Sequence, residues 1–275
     1  MTIKDTIRKY TNELKLVTHI PAKEVEILML HLLEKNTIWL HLNYNVEFEK
    51  EKELAILVKK RATNYPLEYI INKASFYGEM FIVKEGVLIP RPETEILVEN
   101  AVEILKNIKE PVKVLEIGTG SGIISVMLAM LIENIQIIAV DINEKAIELA
   151  LQNAIKHGVE NKIEFRLSNL YENVNETDIF MTISNPPYIA NNYILPTNVK
   201  YEPSNALFGG VVGDELLKDI IKGTNEKKIP YLLCEMGYDQ KAPLENYFKE
   251  FNVASYSFYK DYESFDRGFT LKFKI

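Results

Sequence analysis

Val114-Leu115-Glu116-Ile117-Gly118-Thr119-Gly120-Ser121-Gly122 is a short apolar run that ends in three alternating glycines, with a second apolar stretch, 123–132, directly behind it. The first run has the length and composition of a strand buried on both faces. Glycines let a backbone turn tightly and let a ligand approach with no Cβ in the way, and a following helix offers free N–H groups. The reading is strand, turn, helix. The glycines stand as G-x-G-x-G, because Ile123 occupies the last glycine of the dinucleotide fingerprint G-x-G-x-x-G. Alone, the pattern suits either a ligand-binding turn or a tight βα turn without ligand.

Working outward, the rhythm beyond Pro111 is strand, helix, strand, helix. Residues 112–117, 135–140 and 162–167 are short β-like runs, and 121–132 and 144–157 are helical. Runs at 178–183, 229–234, 253–258 and 269–273 supply later strands. Such alternation predicts a doubly wound, mostly parallel α/β sheet. The last two runs follow each other without a helix, which predicts an antiparallel pair at one edge.

Upstream the pattern differs. Val25, Leu28, Met29, Leu32 and Leu33 recur at helical spacing, Pro21 suits a first helical turn, and a later helix carries Leu54, Leu57 and Val58 up to Tyr65-Pro66. The expectation is a small helical bundle over residues 1–65. Lys59-Lys60-Arg61 falls at the end of its last helix, where cations complement the helix dipole. Residues 76–83 read as strand–turn–strand, and Pro90-Arg91-Pro92 suits neither a helix interior nor a central strand. Residues 66–92 are thus expected to form a hairpin linker, followed by a helix from about Glu93 to Ile108 and a domain spanning 93–275.

Composition narrows the classes. The 275 residues are 47% hydrophobic and 26% charged, ordinary for a globular chain. No apolar run approaches a membrane span, and the N-terminus lacks a signal-peptide layout, so a cytoplasmic protein is expected. One cysteine, Cys234, and four scattered histidines predict neither a disulfide framework nor a metal site. The net charge of −7 concentrates beyond residue 110, which argues against a free-standing nucleic-acid binder.

Two further elements bear chemistry. Asp141 ends the second strand, beside the glycine turn, where an open sheet binds ligands. Its carboxylate suits both hydroxyls of a ribose, or equally a helix cap for Asn143 onward. Asn185-Pro186-Pro187-Tyr188 follows the run 178–183 at another carboxyl end. This four-residue string arises by chance on the order of once per thousand such chains, so it weighs more than the glycines. Prolines stiffen the loop and remove donors, leaving the carbonyls of Asn185 and Pro186 as acceptors. With the Asn185 side-chain oxygen they can grip a planar NH₂ by acceptors alone, and Tyr188 can pack on its face.

Together, 116–122, Asp141 and 185–188 resemble the class I S-adenosylmethionine-dependent methyltransferases that act on amide or exocyclic amino nitrogen. Residues 66–70, Phe76-Tyr77-Gly78 and above all Leu88-Ile89-Pro90-Arg91-Pro92-Glu93-Thr94-Glu95 are similar to the linker of the peptide-chain release-factor glutamine methyltransferases (the HemK/PrmC family). Tyr201-Glu202-Pro203, Ala206-Leu207 and Glu235-Met236-Gly237 resemble the same family. The resemblance covers nearly the whole chain. It implies a Rossmann-like methyltransferase fold with S-adenosylmethionine as cofactor. Gly118, Thr119, Gly120, Ser121 and Gly122 would line its methionine and ribose parts, and Asp141 would hold the ribose. Asn169 and Leu170 would flank the adenine, where the family often carries Asp-Trp. Asn185 would touch cofactor and substrate and act as the catalytic residue, with Pro186, Pro187 and Tyr188 completing the substrate grip.

The implied reaction is methyl transfer to the amide nitrogen of the glutamine in a release factor's Gly-Gly-Gln loop. A monomer with no stable nucleic-acid or membrane partner is expected, its bundle docking the protein substrate. The rival readings are a ribosomal-protein glutamine methyltransferase, an N6-adenine DNA methyltransferase gripping a flipped base with the same loop, and a non-catalytic binding protein.

Overall fold

A computed structural model describes residues 1–275. One compact unit comprises Met1–Lys73 together with Leu195–Tyr201. Its helices are α1 (Ile3–Leu14), α2 (Pro21–Leu33), α3 (Thr37–Leu42), α4 (Glu51–Ala62) and α5 (Leu67–Ile71). The Thr2 hydroxyl caps α1 by accepting the Asp5 N–H at 3.1 Å, and Ile3, Ile7, Tyr10 and Leu14 form its buried face. Pro21 opens α2, which buries Val25, Leu28 and Met29 against Leu54 and Val58 of α4. The basic run at the end of α4 is split in role. Lys59 and Lys60 are exposed, whereas Arg61 is buried and forks onto Glu24 at 2.6 and 3.1 Å, so each buried charge is neutralised by the other. Tyr201 belongs to this unit by contact. Its hydroxyl donates to the Thr63 carbonyl at 3.0 Å and its ring meets Tyr65 edge-on, with centroids 5.1 Å apart.

The second unit comprises Ala74–Ile194 and Glu202–Ile275. The hairpin of β1 (Lys73–Phe76) and β2 (Glu79–Ile82) turns through Tyr77 and Gly78, both at positive φ, as a tight two-residue hairpin requires. Next come α6 (Thr94–Leu105), β3 (Val112–Ile117), α7 (Ile123–Leu131), β4 (Ile135–Asp141), α8 (Glu144–Lys156), β5 (Ile163–Leu167) and β6 (Met181–Ser184). The short strands β7 (Ile189–Ala190) and β8 (Phe208–Gly210) pair with each other. The chain ends with α9 (Glu215–Glu226), β9 (Tyr231–Glu235), α10 (Lys241–Phe248), β10 (Val253–Lys260) and β11 (Asp266–Phe273).

Seven strands form one sheet in the order β10-β11-β9-β6-β3-β4-β5. All neighbours are parallel except β11 with β9 and β10 with β11, so the expected antiparallel pair stands at one edge. Side chains alternate across the sheet as the pleat demands. Val112, Val114, Ile135 and Ile137 pack under α6 and α7 on one face. Leu115, Ile117, Ile138 and Val140 pack under α9 and α10 on the other. Burial on both faces explains why these strands read as continuous apolar runs.

This topology positions the site. From β3 the chain winds outward through β4 to β5, then returns to place β6 on the opposite side of β3. The carboxyl ends of β3 and β6 lie side by side at the switch, with Ile117 opposite Ser184, and Val140 of β4 on the other flank of Ile117. A crevice at such a switch point is where open α/β sheets bind ligands.

Candidate active site

The glycine turn divides its labour. Gly118, Gly120 and Gly122 all take positive φ, at 72°, 56° and 80°, in the region that penalises other residues. A Cβ on Gly118 or Gly120 would meet nothing within 4 Å, so these two leave open space at the end of β3. A Cβ on Gly122 would fall 2.9 Å from the Cβ of Ala150, so this glycine lets α7 lie close against α8. The turn is tied to β4 by the N–H groups of Gly118 and Thr119, which share the Val140 carbonyl at 2.8 and 3.0 Å.

Asp141 is pinned between two loops. Its Oδ2 accepts the Gly120 N–H and its Oδ1 the Asn143 N–H, each at 2.9 Å. Burial nevertheless raises its pKa above the usual aspartate value, those backbone donors offsetting only part of the desolvation. The helix cap itself is Asn143, whose side-chain oxygen accepts the Lys145 N–H, so Asp141 is left to the turn. Each of its oxygens retains acceptor capacity.

Glu116 is more unusual. It is fully buried, and its Oε2 accepts from the Thr119 hydroxyl at 2.8 Å and from the Ser125 hydroxyl, while Oε1 has no partner at all. Burial pushes its pKa up to about 7. An unpartnered buried carboxylate oxygen is costly unless a donor or cation meets it. Glu116 lies at a recess shared with Arg91, Thr94, Gly118, Gly120 and Asn185.

The recess adjoins a cleft of about 130 Å³. Gly118, Gly120, Asp141, Asn169, Leu170, Asn185 and Pro187 all line that cleft, which brings together most of the residues singled out by sequence. Thr119 and Ser121 are buried at the recess behind it, Thr119 with its hydroxyl on Glu116. Gly122 packs on α8, Pro186 is buried, and Tyr188 lies outside the cleft's lining. Leu170 holds φ at 47°, a strained angle for leucine. Asn169 donates its Nδ2 to Glu172 at 2.9 Å, which leaves its amide oxygen the unengaged atom.

At the end of β6 the Ser184 hydroxyl donates to the Ile117 carbonyl at 2.7 Å and locks the two strand ends together. The carbonyls of Asn185 and Pro186 receive no hydrogen bond from the chain. The Asn185 Nδ2 donates to Thr94 Oγ1 at 2.9 Å, and Thr94 in turn donates to Glu235 at 2.7 Å. The Tyr188 hydroxyl donates to the other oxygen of Glu235 at 3.0 Å, and Gln240 holds the Tyr188 carbonyl at 2.9 Å. Sequence reasoning attached no role to Thr94, Glu235 or Glu116. Glu116 had a legible signal, an acid inside an apolar strand; the other two meet only through the fold.

A family model described as the PrmC N-terminal domain matches residues 5–71, and one described as the methyltransferase small domain matches 93–199. A release factor glutamine methyltransferase from Fusobacterium nucleatum is 36% identical over 256 residues, covering 90% of this chain and 72% of the relative. One from Aquifex aeolicus is 33% identical over 271 residues, covering 96% and 93%. The chain belongs to the release factor glutamine methyltransferase family. In fold it is also similar to the N-terminal domain of human METTL16, solved in complex with SAH: TM-score 0.56 at 16% identity, covering 90% of this chain and 94% of that one.

S-adenosylmethionine is the cofactor of this methyltransferase, and the residues present fit it. Gly118 and Gly120 leave the cradle that a Cβ would narrow, and Asp141 keeps lone pairs for hydroxyls. Glu116 offers its orphaned oxygen to a cationic group, which the methionine moiety carries. No helix is long and apolar enough to cross a membrane.

Proposed function

We propose that this chain methylates the side-chain amide nitrogen of the glutamine in the Gly-Gly-Gln loop of a peptide chain release factor. The observation that carries the reading is the acceptor set at the end of β6, where the carbonyls of Asn185 and Pro186 have no partner in the chain and Asn185 lines the cleft. An amide NH₂ has two protons to donate and a lone pair drawn into its carbonyl. Acceptors that hold both protons orient it and return electron density to nitrogen. S-adenosylmethionine supplies an electrophilic methyl group on a sulfonium.

Asn185 and Pro186 hold and aim the amide, and the prolines keep the loop from relaxing. Catalysis on this account is positioning and electrostatics, with no base removing a proton before attack. Pro186 and Pro187 also provide no N–H that would compete for the substrate as a donor. In this reading residues 1–65 dock the protein substrate, 66–92 link, and 93–275 carry the chemistry, in the reducing interior that a single buried Cys234 suits.

The test is mass spectrometry of intact release factor incubated with the protein and isotopically labelled cofactor. The mass of one labelled methyl in place of one hydrogen on the Gly-Gly-Gln glutamine is the expected result. Label on a ribosomal-protein glutamine or on duplex DNA instead would replace the assigned substrate.

A further inference from the structure

The amide of Asn185 has two ends of nearly equal shape and opposite hydrogen-bonding character. With its oxygen toward the substrate it accepts from the glutamine NH₂; rotated by half a turn, it would set one NH₂ against another. Something must choose between them.

Glu235, at the end of β9, is 1% exposed, and each of its oxygens is met by a hydroxyl. Thr94 Oγ1 lies 2.7 Å from Oε2, and the Tyr188 hydroxyl 3.0 Å from Oε1. Burial raises the Glu235 pKa against the pull of the Thr94 and Tyr188 hydroxyls and the Arg267 charge. As a carboxylate it only accepts, and the Thr94 proton then points toward it. The lone pairs of Thr94 are then left for Asn185, whose nitrogen lies 2.9 Å away. The Thr94 side chain is wholly buried as the first residue of α6, so no solvent offers it another partner. Polarity therefore runs one way, from amide nitrogen to hydroxyl to carboxylate. The Asn185 oxygen is the end left for the cleft.

We propose that Glu235 and Thr94 are positioning residues, which together fix the Asn185 amide with its nitrogen inward and its oxygen presented to the substrate NH₂. The inference rests on the reading of Asn185 as the amide acceptor. Tyr188 contributes by occupying the second oxygen of Glu235, which also ties the end of the loop to β9.

Three near-isosteric variants test it. Thr94→Val removes the hydroxyl and leaves the amide free to rotate. Glu235→Gln can turn its own NH₂ toward Thr94, whose proton then faces Asn185 and favours the flipped amide. Thr94→Ser keeps the relay. Thr94→Val and Glu235→Gln should lower kcat by about ten- to a hundredfold, and Thr94→Ser should stay within about threefold of wild type. Cofactor Kd, measured by calorimetry, should move by less than about threefold in all three, because Asp141 and the glycine turn are untouched. A purely structural role would instead weaken cofactor binding and thermal stability along with kcat.

A second readout needs no methyl transfer. In the ¹⁵N–¹H spectrum of the cofactor-free protein, the Asn185 side-chain NH₂ should show one exchange-protected proton in wild type and Thr94→Ser. That protection should be lost in Thr94→Val. Thr94→Val with wild-type kcat, or with its Asn185 amide still protected, would overturn the relay. Should wild type leave the release-factor glutamine unmodified, the functional reading falls, and the amide spectrum still decides the relay by itself.

Discussion

Arg91 and Glu202, 111 residues apart in sequence, form an ion pair of 2.5 Å. The second oxygen of Glu202 accepts the buried Ile89 N–H at 3.0 Å, so one carboxylate holds the loop at both residues. Leu88 on that loop and Pro203 beside Glu202 both line the cleft that holds Gly118, Gly120 and Asp141, and the pair joins two of its walls. Glu202→Ala leaves the Ile89 donor unsatisfied and should lower folding stability by about 1–3 kcal/mol. The loosened walls should weaken cofactor binding by roughly tenfold, about 1.4 kcal/mol. Urea unfolding and calorimetry read the two effects separately. Unchanged cofactor affinity would deny Glu202 its part in shaping the cleft.

The glycines of the β3–α7 turn should respond unequally to alanine. At Gly122 an added methyl meets both a positive φ and the Ala150 side chain, 2.9 Å away in a fully buried contact. Overpacking of this kind costs about 1–3 kcal/mol, beyond about 1 kcal/mol for the backbone angle. Gly118→Ala carries the angle alone, because its Cβ would face open space. Thermal melts of the cofactor-free variants should therefore rank Gly122→Ala well below Gly118→Ala. Affinity for cofactor should be hurt at least as much by Gly118→Ala, whose methyl enters the cradle.

The sheet was readable because burial on both faces writes itself as apolar runs, and β3 spans the same residues, Val112–Ile117, that the sequence indicates. The run read as 178–183 begins three residues before β6, since Ile179 and Phe180 carry the apolar pattern ahead of the ladder at Met181, while Asp178 stays exposed and pairs with Lys113. Helix α10 is hidden by Pro243, which sits in its first turn and reads as a breaker. The sequence reading assigns no element at all to helix α9, although Leu217, Ile220 and Ile221 recur at helical spacing between the runs 178–183 and 229–234. At the site, the residues on strand ends could be located by motif, because topology alone sets strand ends side by side. Thr94 and Glu235 could not, since what makes them matter is a distance of 2.7 Å across 141 residues of chain.

Glu116 predicts a stability that depends on pH in a definite direction. Its folded-state pKa, about 7, lies above the ordinary value of 4.5, so the folded chain keeps a proton that the unfolded chain gives up. Its contribution is therefore most favourable below about pH 4.5, falls as pH rises, and has bottomed out above 7. Glu116→Gln lacks this titration. In the cofactor-free protein the variant should be the more stable form at pH 8, by up to about 3 kcal/mol, with the gap closing toward pH 4.5. Chemical denaturation at pH 5 and pH 8 checks it; a gap independent of pH would mean that Glu116 is already ionised in the fold.

Asn185 gives the most direct test of the amide grip. Asn185→Ala should keep the fold, because Pro186, Pro187 and the Ser184 bond to Ile117 still set the loop. Turnover should fall by about a hundredfold or more, the scale of losing one preorganised polar contact to a reacting group. Cofactor affinity should fall less, since Asp141, Gly118 and Gly120 remain in the cleft. Asn185→Asp separates shape from polarity. It retains an oxygen toward the cleft but sets a second acceptor against Thr94 Oγ1, where Asn185 now donates at 2.9 Å. The Thr94 hydroxyl has one proton, and Glu235 and the new carboxylate would compete for it. The added charge near a sulfonium can tighten cofactor binding while the amide grip stays misaligned, so affinity should hold or rise as transfer fails. Quantitative mass spectrometry of the modified glutamine, with wild type as reference, reads the transfer. Near-normal methylation by Asn185→Ala would remove the side chain from the mechanism and leave the Asn185 and Pro186 carbonyls as its only acceptors.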